Sequence, residues 1–463
     1  MEKKRPVRMV TLPATSVPVM AEADVVVIGG GTSGFMAAVA AARTGASVLL
    51  VEKAGYLGGC TTAPYNTGLS QFFDSDGNQI IRGLPWEFMQ RMEADGNAFI
   101  VGKRNELWPV WTRKVALDMM EEAGAEFLFH TWTSGVVKDG DAVSGIIVHN
   151  KGGTGVIVGK CFVDATGDAD IAAFAGAPFD MTEVENLQQV SCDYIACGVD
   201  HLRVLEWARA NKDRLGLRVN NIDIEPKATG VQRMLTITLP HNAEDPITGE
   251  PYHVGVMPTV KLCIHRDAVR IQGNSDINPL DPKALTRAEA DGLRGALNHL
   301  QYLRDMIPGF EDAYIVAQSH LGVRETRRII GDYVLTIDDV RNCARFDDVV
   351  ALNCRGLDYH LKGTVFKYTG VKGHHDVPLR ALLPQKVDNL LVVGRSIACD
   401  HLSQASLRGA ATCLATGHAA GVAAALAAKE GGNVRGVDIR SIQKKLIRQD
   451  AVLGVGDRAG VFE

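Results

Sequence analysis

The chain has 463 residues, 46% hydrophobic and 22% charged, which is enough for two or three globular domains. Its formal net charge of −5 argues against a nucleic-acid partner. We expect no membrane span, because no apolar run is long enough to cross a bilayer, and no secretory signal, because no apolar segment follows the basic start MEKKRPVR. The nine cysteines contain no C-x-x-C pair, so we expect free thiols, no metal site and a cytoplasmic location.

A complete βαβ unit follows a polar lead-in of about 20 residues. The run VVVI at 25–28 predicts a buried parallel strand, which ends in the turn GGGTSG at 29–34. An alanine-rich helix is predicted over 32–44, and a second strand over 47–51 ends at Glu52. This order of elements is the one that holds a dinucleotide.

Each glycine of the turn has a physical role in such a site. Gly29 permits the tight turn, Gly31 lets the backbone approach a pyrophosphate, and Gly34 lets the helix lie close to the strand. The helix N-terminus then directs N–H groups and its positive dipole end at the phosphates. The carboxylate of Glu52 is expected to accept hydrogen bonds from ribose hydroxyls.

A second glycine pair, Gly58 and Gly59, follows in the segment AGYLGGCTT at 54–62. With these motifs the chain resembles the FAD-dependent oxidoreductases of the glutathione-reductase-like superfamily. The resemblance implies FAD rather than NAD in this site. Disulfide reductases of that superfamily carry a redox cysteine pair nearby, whereas this chain has Cys60 alone at that position, so we interpret it as a small residue near the flavin.

Two later segments extend the resemblance. Residues 126–160 read as a β-meander with hairpin turns, and the strand after it ends in Ala-Thr-Gly-Asp at 165–168. A strand at 387–394 ends in Gly-Arg and precedes a small-residue helix at 409–429, which the resemblance places at the pyrimidine end of the flavin. The motifs together imply these cofactor-binding residues: Gly29, Gly31, Thr32, Ser33, Gly34, Glu52, Lys53, Gly58, Gly59, Cys60, Thr61, Ala165, Thr166, Gly167, Asp168, Gly394, Arg395 and Arg408.

The predicted fold class is α/β, with a Rossmann-like FAD-binding domain, a β-meander and an inserted α+β substrate domain. Residues 20–180 and 376–440 are assigned to the FAD-binding domain, 181–375 to the substrate domain, and 441–463 to a short helix and tail. The insert contains strand-like segments and a predicted helix over 282–306. It contains no second G-x-G-x-x-G turn after a strand, which disfavours a pyridine-nucleotide domain.

Two shorter features of the insert are also predicted. A helix is expected from about residue 338 to 345, with Thr336 and Asp339 able to form its cap. The loop 241–251 carries Pro and Gly turn signals and is interpreted as a flap.

The candidate catalytic residues are Arg324, His375 and His401. Arg324 lies in the run GVRETRRIIGDY, which looks like a hallmark of one branch of the superfamily, and it could bind a carboxylate. The alternative is that Glu325 pairs with Arg327 or Arg328 to lock two domains together. His401 is the favoured acid/base, one of His374 and His375 is a second choice, and packing roles are the alternative for each.

The predicted function is an FAD-dependent dehydrogenase that takes a hydride from a small polar, possibly anionic, substrate to flavin N5. One alternative is C=C reduction of the fumarate-reductase type, and another is a non-catalytic protein on the same fold. A homo-oligomer is possible, and the electron acceptor is open between oxygen, a quinone and a partner protein.

Overall fold

The computed structural model describes residues 10, 13–69, 71–94, 98–101, 104–213, 218–223, 233–238, 259–262, 269–360 and 367–462. The predicted flap at 241–251 lies outside these residues.

The helices come from all parts of the described chain. They are α1 (Thr32–Arg43), α2 (Leu84–Ala94), α3 (Pro109–Glu122), α4 (Asp170–Phe174), α5 (His201–Asn211), α6 (Pro282–Met306), α7 (Ile337–Arg341), α8 (His401–Leu407), α9 (Ala410–Lys429) and α10 (Ile439–Arg448).

The strands form two main sheets and several short pairs. They are β1 (Val19–Ile28), β2 (Val48–Val51), β3 (Ala98–Val101), β4 (Arg104–Leu107), β5 (Glu126–Leu128), β6 (Trp132–Asp139), β7 (Ala142–Asn150), β8 (Gly153–Asp164), β9 (Phe179–Asp180), β10 (Val190–Cys197), β11 (Arg218–Asp223), β12 (Arg233–Thr238), β13 (Thr259–Leu262), β14 (Val269–Ser275), β15 (Tyr314–Gln318), β16 (Arg328–Ile329), β17 (Val349–Asn353), β18 (Leu357–Tyr359), β19 (Lys367–Thr369), β20 (His375–Pro378) and β21 (Leu390–Val392).

The first sheet has the order β5-β2-β1-β8-β7-β6, with β21 also paired to β8. The pairs β5–β2, β2–β1, β1–β8 and β8–β21 are parallel, whereas β6, β7 and β8 form the predicted antiparallel meander. Val26 in the centre pairs with Leu49 on one side and Phe162 on the other, and it is completely buried. This mixed sheet confirms the predicted α/β fold class.

Two details of this sheet differ from the sequence prediction. Strand β1 begins at Val19 rather than at residue 25, because its first half pairs with β8 from Val156 onward. Residues 126–128 were expected in the meander but form the parallel edge strand β5, in which Glu126 pairs with Leu49 of β2. A three-residue strand carries too little periodicity to reveal its partner.

Helices α1 and α9 lie in backbone contact above this sheet. A Cβ atom on Gly417 would lie 2.2 Å from the carbonyl oxygen of Ser33, and one on Gly421 would lie 2.1 Å from that of Ala37. Any larger residue at either position would therefore push the helices apart. This contact joins a helix from the first part of the chain to a helix from its last part.

Among the described helices, α9 is long and apolar enough to cross a membrane, which differs from the expectation that no apolar run has that length. However, 89% of its apolar window is buried inside the protein. The protein itself therefore covers most of the apolar surface of α9.

The second sheet is antiparallel, with the order β11-β12-β13-β14-β10-β15. Its core includes Tyr194 and Ile271 from the strands and Leu303 from α6. Helix α6 has the predicted bounds, with the side chain of Asp281 as its N-cap. The predicted capping box of Thr336 and Asp339 is also present, on a helix that ends earlier than expected, at Arg341.

Part of the predicted substrate domain packs with the first sheet rather than the second. Leu335 and strand β17 belong to the same apolar core as Val25, and β17 pairs with β20. The predicted domain boundary at residue 375 therefore does not coincide with the boundary between the two cores.

Candidate active site

The turn between β1 and α1 has the geometry of a phosphate-binding loop. Gly29 has a positive φ of 100°, and a Cβ atom there would lie 2.5 Å from the carbonyl oxygen of Ala165. A Cβ atom on Gly34 would lie 1.8 Å from the carbonyl oxygen of Gly29. Gly31 is the N-cap of α1 and provides no side-chain cap, so the first-turn amides of the helix are available to an anion.

The second glycine pair lies directly against this turn. The amide of Gly58 donates to the carbonyl of Gly30 at 2.9 Å, and a Cβ atom on Gly59 would lie 2.6 Å from Cα of Gly31. Sγ of Cys60 then lies 3.2 Å from the hydroxyl of Thr32. Two segments predicted separately thus form one surface.

The residues at the end of β2 also contact this surface. The carboxylate of Glu52 accepts hydrogen bonds from the amides of Gly30 at 2.6 Å and Ala54 at 2.7 Å. The ammonium group of Lys53 lies 5.0 Å from the ring centroid of Trp132. The role of Glu52 at a ribose stays a prediction. Its carboxylate has further lone pairs that could accept hydrogen bonds from ribose hydroxyls.

The ends of β8 and β21 meet beside Gly167. The guanidinium of Arg395 donates to Asp168 at 2.6 Å, and its Nε would lie 3.0 Å from a Cβ atom on Gly167. The hydroxyl of Ser396 donates to the carbonyl of Gly167 at 2.6 Å. The Ala-Thr-Gly-Asp and Gly-Arg motifs are therefore bonded to one another, and Thr326 adds a hydrogen bond to Asp168 at 2.8 Å.

His401 stands at the first turn of α8 and contacts a buried carboxylate. Its Nδ1 lies 2.8 Å from Oε1 of Glu325 and 3.0 Å from the hydroxyl of Thr182. The side chain of His401 is 25% exposed, whereas that of Glu325 is completely buried. Both polar contacts that the described structure gives the ring involve Nδ1.

Glu325 is held in its ionised form by its neighbours. Burial alone would raise the pKa of this carboxyl, but the hydrogen bonds and charges of His401, Thr182 and Arg328 together outweigh it, and the pKa lies below its usual value. Arg328 donates to Oε1 of Glu325 at 2.6 Å, which matches the alternative in which the glutamate pairs with an arginine. Arg328 also bonds to Asp180, so it links Glu325 to β9.

Arg324 and Arg408 lie in a polar cluster that the sequence prediction included only in part. Arg324 donates to the carbonyl of Gln189 and is buried. Arg408 donates to the side chain of Gln188 at 3.0 Å and to the backbone carbonyl of Asp358 at 2.6 Å.

Three further members of this cluster were missed. The carboxylate of Asp358 forms ion pairs with Arg355 and with Arg408, and it lies 3.1 Å from Nε2 of His360. The polar residues of the segment RGLDYH at 355–360, set between apolar strands, were the available signal.

His375 lies in the packed interior, and its role as a catalytic base stays a prediction. Its side chain is completely buried, and its Nε2 lies 2.9 Å from the side-chain amide nitrogen, Nδ2, of Asn353. Burial lowers its pKa to about 4, so the ring is neutral at the place where β20 pairs with Asn353 of β17. His374 is also buried, with Nδ1 at 3.1 Å from Asp74. In the described part of the chain, no group of three or more His, Cys, Asp or Glu residues could hold a metal ion.

Residues 24–446 match the family described as FAD dependent oxidoreductase. The chain belongs to this family of FAD-dependent oxidoreductases. FAD is therefore its cofactor and it is an enzyme, which removes the non-catalytic alternative. The finer placement in the glutathione-reductase-like superfamily stays a prediction.

Two curated proteins are similar to this FAD-dependent oxidoreductase over part of its length. Digeranylgeranylglycerophospholipid reductase of Methanocella arvoryzae is 27% identical over 201 residues, 37% of this chain and 50% of the relative. Thiamine thiazole synthase of Aeropyrum pernix is 32% identical over 126 residues, 27% of this chain and 43% of the relative. The matched part thus spans about half the length of these relatives or less.

The solved structures that are similar to this chain have low sequence identity to it. A geranylgeranyl bacteriochlorophyll reductase-like protein of Thermoplasma acidophilum is 12% identical, covers 95% of this chain and 89% of its own, and has a TM-score of 0.45. The p-nitrophenol 4-monooxygenase of Pseudomonas putida is 10% identical, with coverages of 94% and 87% and a TM-score of 0.44. Similarity at this level says nothing about the reaction.

The site of this family member fits FAD. The uncapped N-terminus of α1 and the surface shared by Gly31 and Gly59 would hold the pyrophosphate. Cys60 lies next to that surface, and Gly394, which precedes Arg395, packs against the side chain of Ser33 at the start of α1, so both segments would border the rest of the cofactor.

Proposed function

We propose that this oxidoreductase is a dehydrogenase that oxidises a C–H bond of a small polar organic substrate, with His401 as the base. When bound, FAD supplies the acceptor for the hydride. The chain must then bind the substrate, orient it and take up the accompanying proton. His401 is the residue best placed for the last task.

The contact between His401 and Glu325 carries the proposal. Because Glu325 is ionised and can only accept, the proton of a neutral imidazole is held on Nδ1. The lone pair then lies on Nε2, which can accept a proton from a substrate hydroxyl or amine. The buried negative charge of Glu325 stabilises the imidazolium that forms.

The hydroxyl of Thr182 completes the arrangement. It donates to Oε1 of Glu325 at 2.6 Å and can accept from Nδ1–H of His401 at 3.0 Å. The ring is therefore fixed by two groups, one of them on a segment just before β10. Orientation of this kind is what a general base requires before substrate arrives.

Replacement of His401 by Ala tests the proposal. We expect anaerobic flavin reduction by substrate to fall about 10²–10⁴-fold, with FAD content unchanged. His149→Ala is the matched control, because within the described residues the ring of His149 forms hydrogen bonds to Ser134 and Thr154 at an exposed place on β7. Flavin reduction at the wild-type rate by His401→Ala would remove the residue from the mechanism.

A second candidate is reduction of a C=C bond, which requires a proton donor. Among the described residues, Nε of Arg408 has no hydrogen-bond partner although it is buried, so it is a possible donor. The name of the relative from Methanocella arvoryzae is also that of a reductase. Reoxidation of chemically reduced enzyme by unsaturated acids, without bleaching by their saturated counterparts, would favour this candidate.

Other features of the assignment stay proposals. We propose a cytoplasmic homo-oligomeric enzyme with a small-molecule substrate and no nucleic-acid or membrane partner. The eight cysteines in the described residues are all free thiols, which is consistent with a reducing compartment.

A further inference from the structure

We infer that Arg355 and Arg408 form a binding site for a carboxylate group of the substrate. The inference deepens the proposed function and rests on it only for the identity of the ligand as substrate. It names the class of molecule that the dehydrogenase would take, a carboxylic acid. The site lies where the β18 segment meets the junction of α8 and α9.

The first argument is an excess of positive charge. Arg355 and Arg408 both pair with the same oxygen, Oδ2, of Asp358. Their side chains are 18% and 11% exposed. The single negative charge of Asp358 is therefore shared between two guanidinium groups that are largely buried. A second anion would balance the remaining positive charge.

The neighbouring groups do not cancel this excess. Burial, followed by the charge of Arg324, lowers the pKa of His360 to about 4, so this histidine is neutral near pH 7. Glu325 also attracts Arg408, but it is hydrogen-bonded to His401 and Arg328.

The second argument comes from hydrogen bonding. Nε of Arg355 and Nε of Arg408 are buried and have no partner among the residues that the structure describes. Buried donors without partners are uncommon, and an arginine fork matches the two oxygens of a carboxylate. Each guanidinium group therefore has a donor without a partner among the described residues, and the pair has the chemistry to bind a carboxylate.

The third argument is location. A Cβ atom on Gly409, the N-cap of α9, would lie 2.6 Å from Cδ of Arg355, so this arginine stands at the positive end of a 20-residue helix. Sγ of Cys413 donates to the backbone carbonyl of Arg408 at 3.6 Å and would lie 3.8 Å from a Cβ atom on Gly394, a predicted cofactor-binding residue. Arg408 therefore lies near the predicted cofactor site, where a substrate must be held.

Equilibrium binding to the FAD-loaded enzyme tests the inference without turnover. Malonate, titrated at constant ionic strength, should perturb the flavin absorption spectrum with a saturable curve, whereas the uncharged malonamide should not. Absence of any malonate effect, or an equal effect of malonamide, would overturn the inference. A stronger response to inorganic phosphate than to malonate would also overturn it.

Variants locate the binding. Arg355→Met should weaken malonate binding about tenfold or more, because a charge-assisted pair is lost. Arg355→Lys keeps the charge without the planar fork and should weaken it less, and it serves as the test if the Met variant does not retain FAD. Arg203→Met is the control, because Arg203 forms an exposed ion pair with Glu311 on α5.

The cofactor is the competing occupant of this positive charge. If Arg355→Met left malonate affinity unchanged and lowered the flavin reduction potential, the cluster would serve the reduced flavin instead and the inference would be wrong. Failure of the proposed function is visible separately. In that case malonate would still bind to the wild-type enzyme, but no carboxylic acid would bleach the flavin.

Discussion

Nδ1 of His401 lies 2.8 Å from Oε1 of Glu325, a carboxylate with no exposed surface. The two residues are 76 positions apart in the chain and come from different elements. Their contact joins the charged run at 322–333 to the first turn of α8. The properties of the proposed base therefore depend on a residue that no substrate needs to touch.

A double-mutant cycle on this pair should show strong coupling. Glu325→Gln should slow anaerobic flavin reduction by about 10²-fold or more, because the charge that stabilises the imidazolium is lost. In His401→Ala the same change should have little further effect on reduction. Additive losses in the double variant would show that Glu325 acts independently of His401, for example through Arg328 alone.

The glycines of the cofactor turn should separate folding from cofactor binding. Gly34→Ala places a Cβ atom 1.8 Å from a backbone oxygen, so we expect it to destabilise the protein by more than about 3 kcal/mol or to prevent folding. Gly31→Ala meets its nearest atom at 3.9 Å and has a φ of −69°, so the apoprotein should keep its stability.

The same Gly31→Ala variant should bind FAD about tenfold or more weakly, because the added methyl group occupies the approach of the pyrophosphate. Urea unfolding of the apoprotein and flavin titration measure the two effects. Wild-type FAD affinity in Gly31→Ala would contradict the assignment of this turn to the phosphates.

His418 should make the folded state sensitive to acid. Burial lowers its pKa from 6.5 to about 4, so the unfolded chain binds a proton in this range and the folded chain does not. Its contribution to stability is complete above pH 6.5 and is lost as the pH falls towards 4, by up to about 1.4 kcal/mol per pH unit.

Replacement of His418 by Gln should make the unfolding free energy fall less steeply across that range. Gln at this position could still bond to Gln449, which His418 contacts at 2.7 Å. His149→Gln, on the exposed part of β7, is the control for replacement of a histidine by glutamine. Parallel stability curves for wild type and His418→Gln would show that the ring is protonated in the folded protein as well.

The flavin should be released when the protein is precipitated with acid. Burial raises the pKa of the Cys60 thiol, so the sulfur is protonated and is a poor nucleophile towards the cofactor. The yellow colour should therefore appear in the supernatant, and Cys60→Ser should retain FAD. Colour that stays in the pellet of the wild type but not of Cys60→Ser would demonstrate a covalent link.

Local patterns predicted the parts of the structure that depend on local physics. The turn at Gly29, the helix from Pro282 to Met306 and the capping box at Thr336 each follow from a few adjacent residues, and all three are present. The pairing of β5 with β2 was not predictable, because a three-residue strand is too short for its sequence pattern to indicate a parallel neighbour.

The candidate site was predictable only where a motif marked it. His401 and Arg408 were selected because they follow the Gly-Arg turn, but the partner of His401 could not be read from spacing. Asp358 lies 50 positions before Arg408, and no local rule relates them. His375 was selected because a histidine can act as a base. Its burial on β20, beside Asn353 of β17, depends on the packed core and leaves no signal in the local sequence.

The contact of α1 with α9 also has a consequence for synthesis of the chain. Helix α1 ends at Arg43, but α9, whose glycines fit against its backbone, begins at Ala410. At about 5–20 residues per second, a ribosome needs roughly 20 to 70 s to make the intervening segment. During that interval the phosphate-binding turn leaves the ribosome without its covering helix, so the cofactor pocket is completed late in translation.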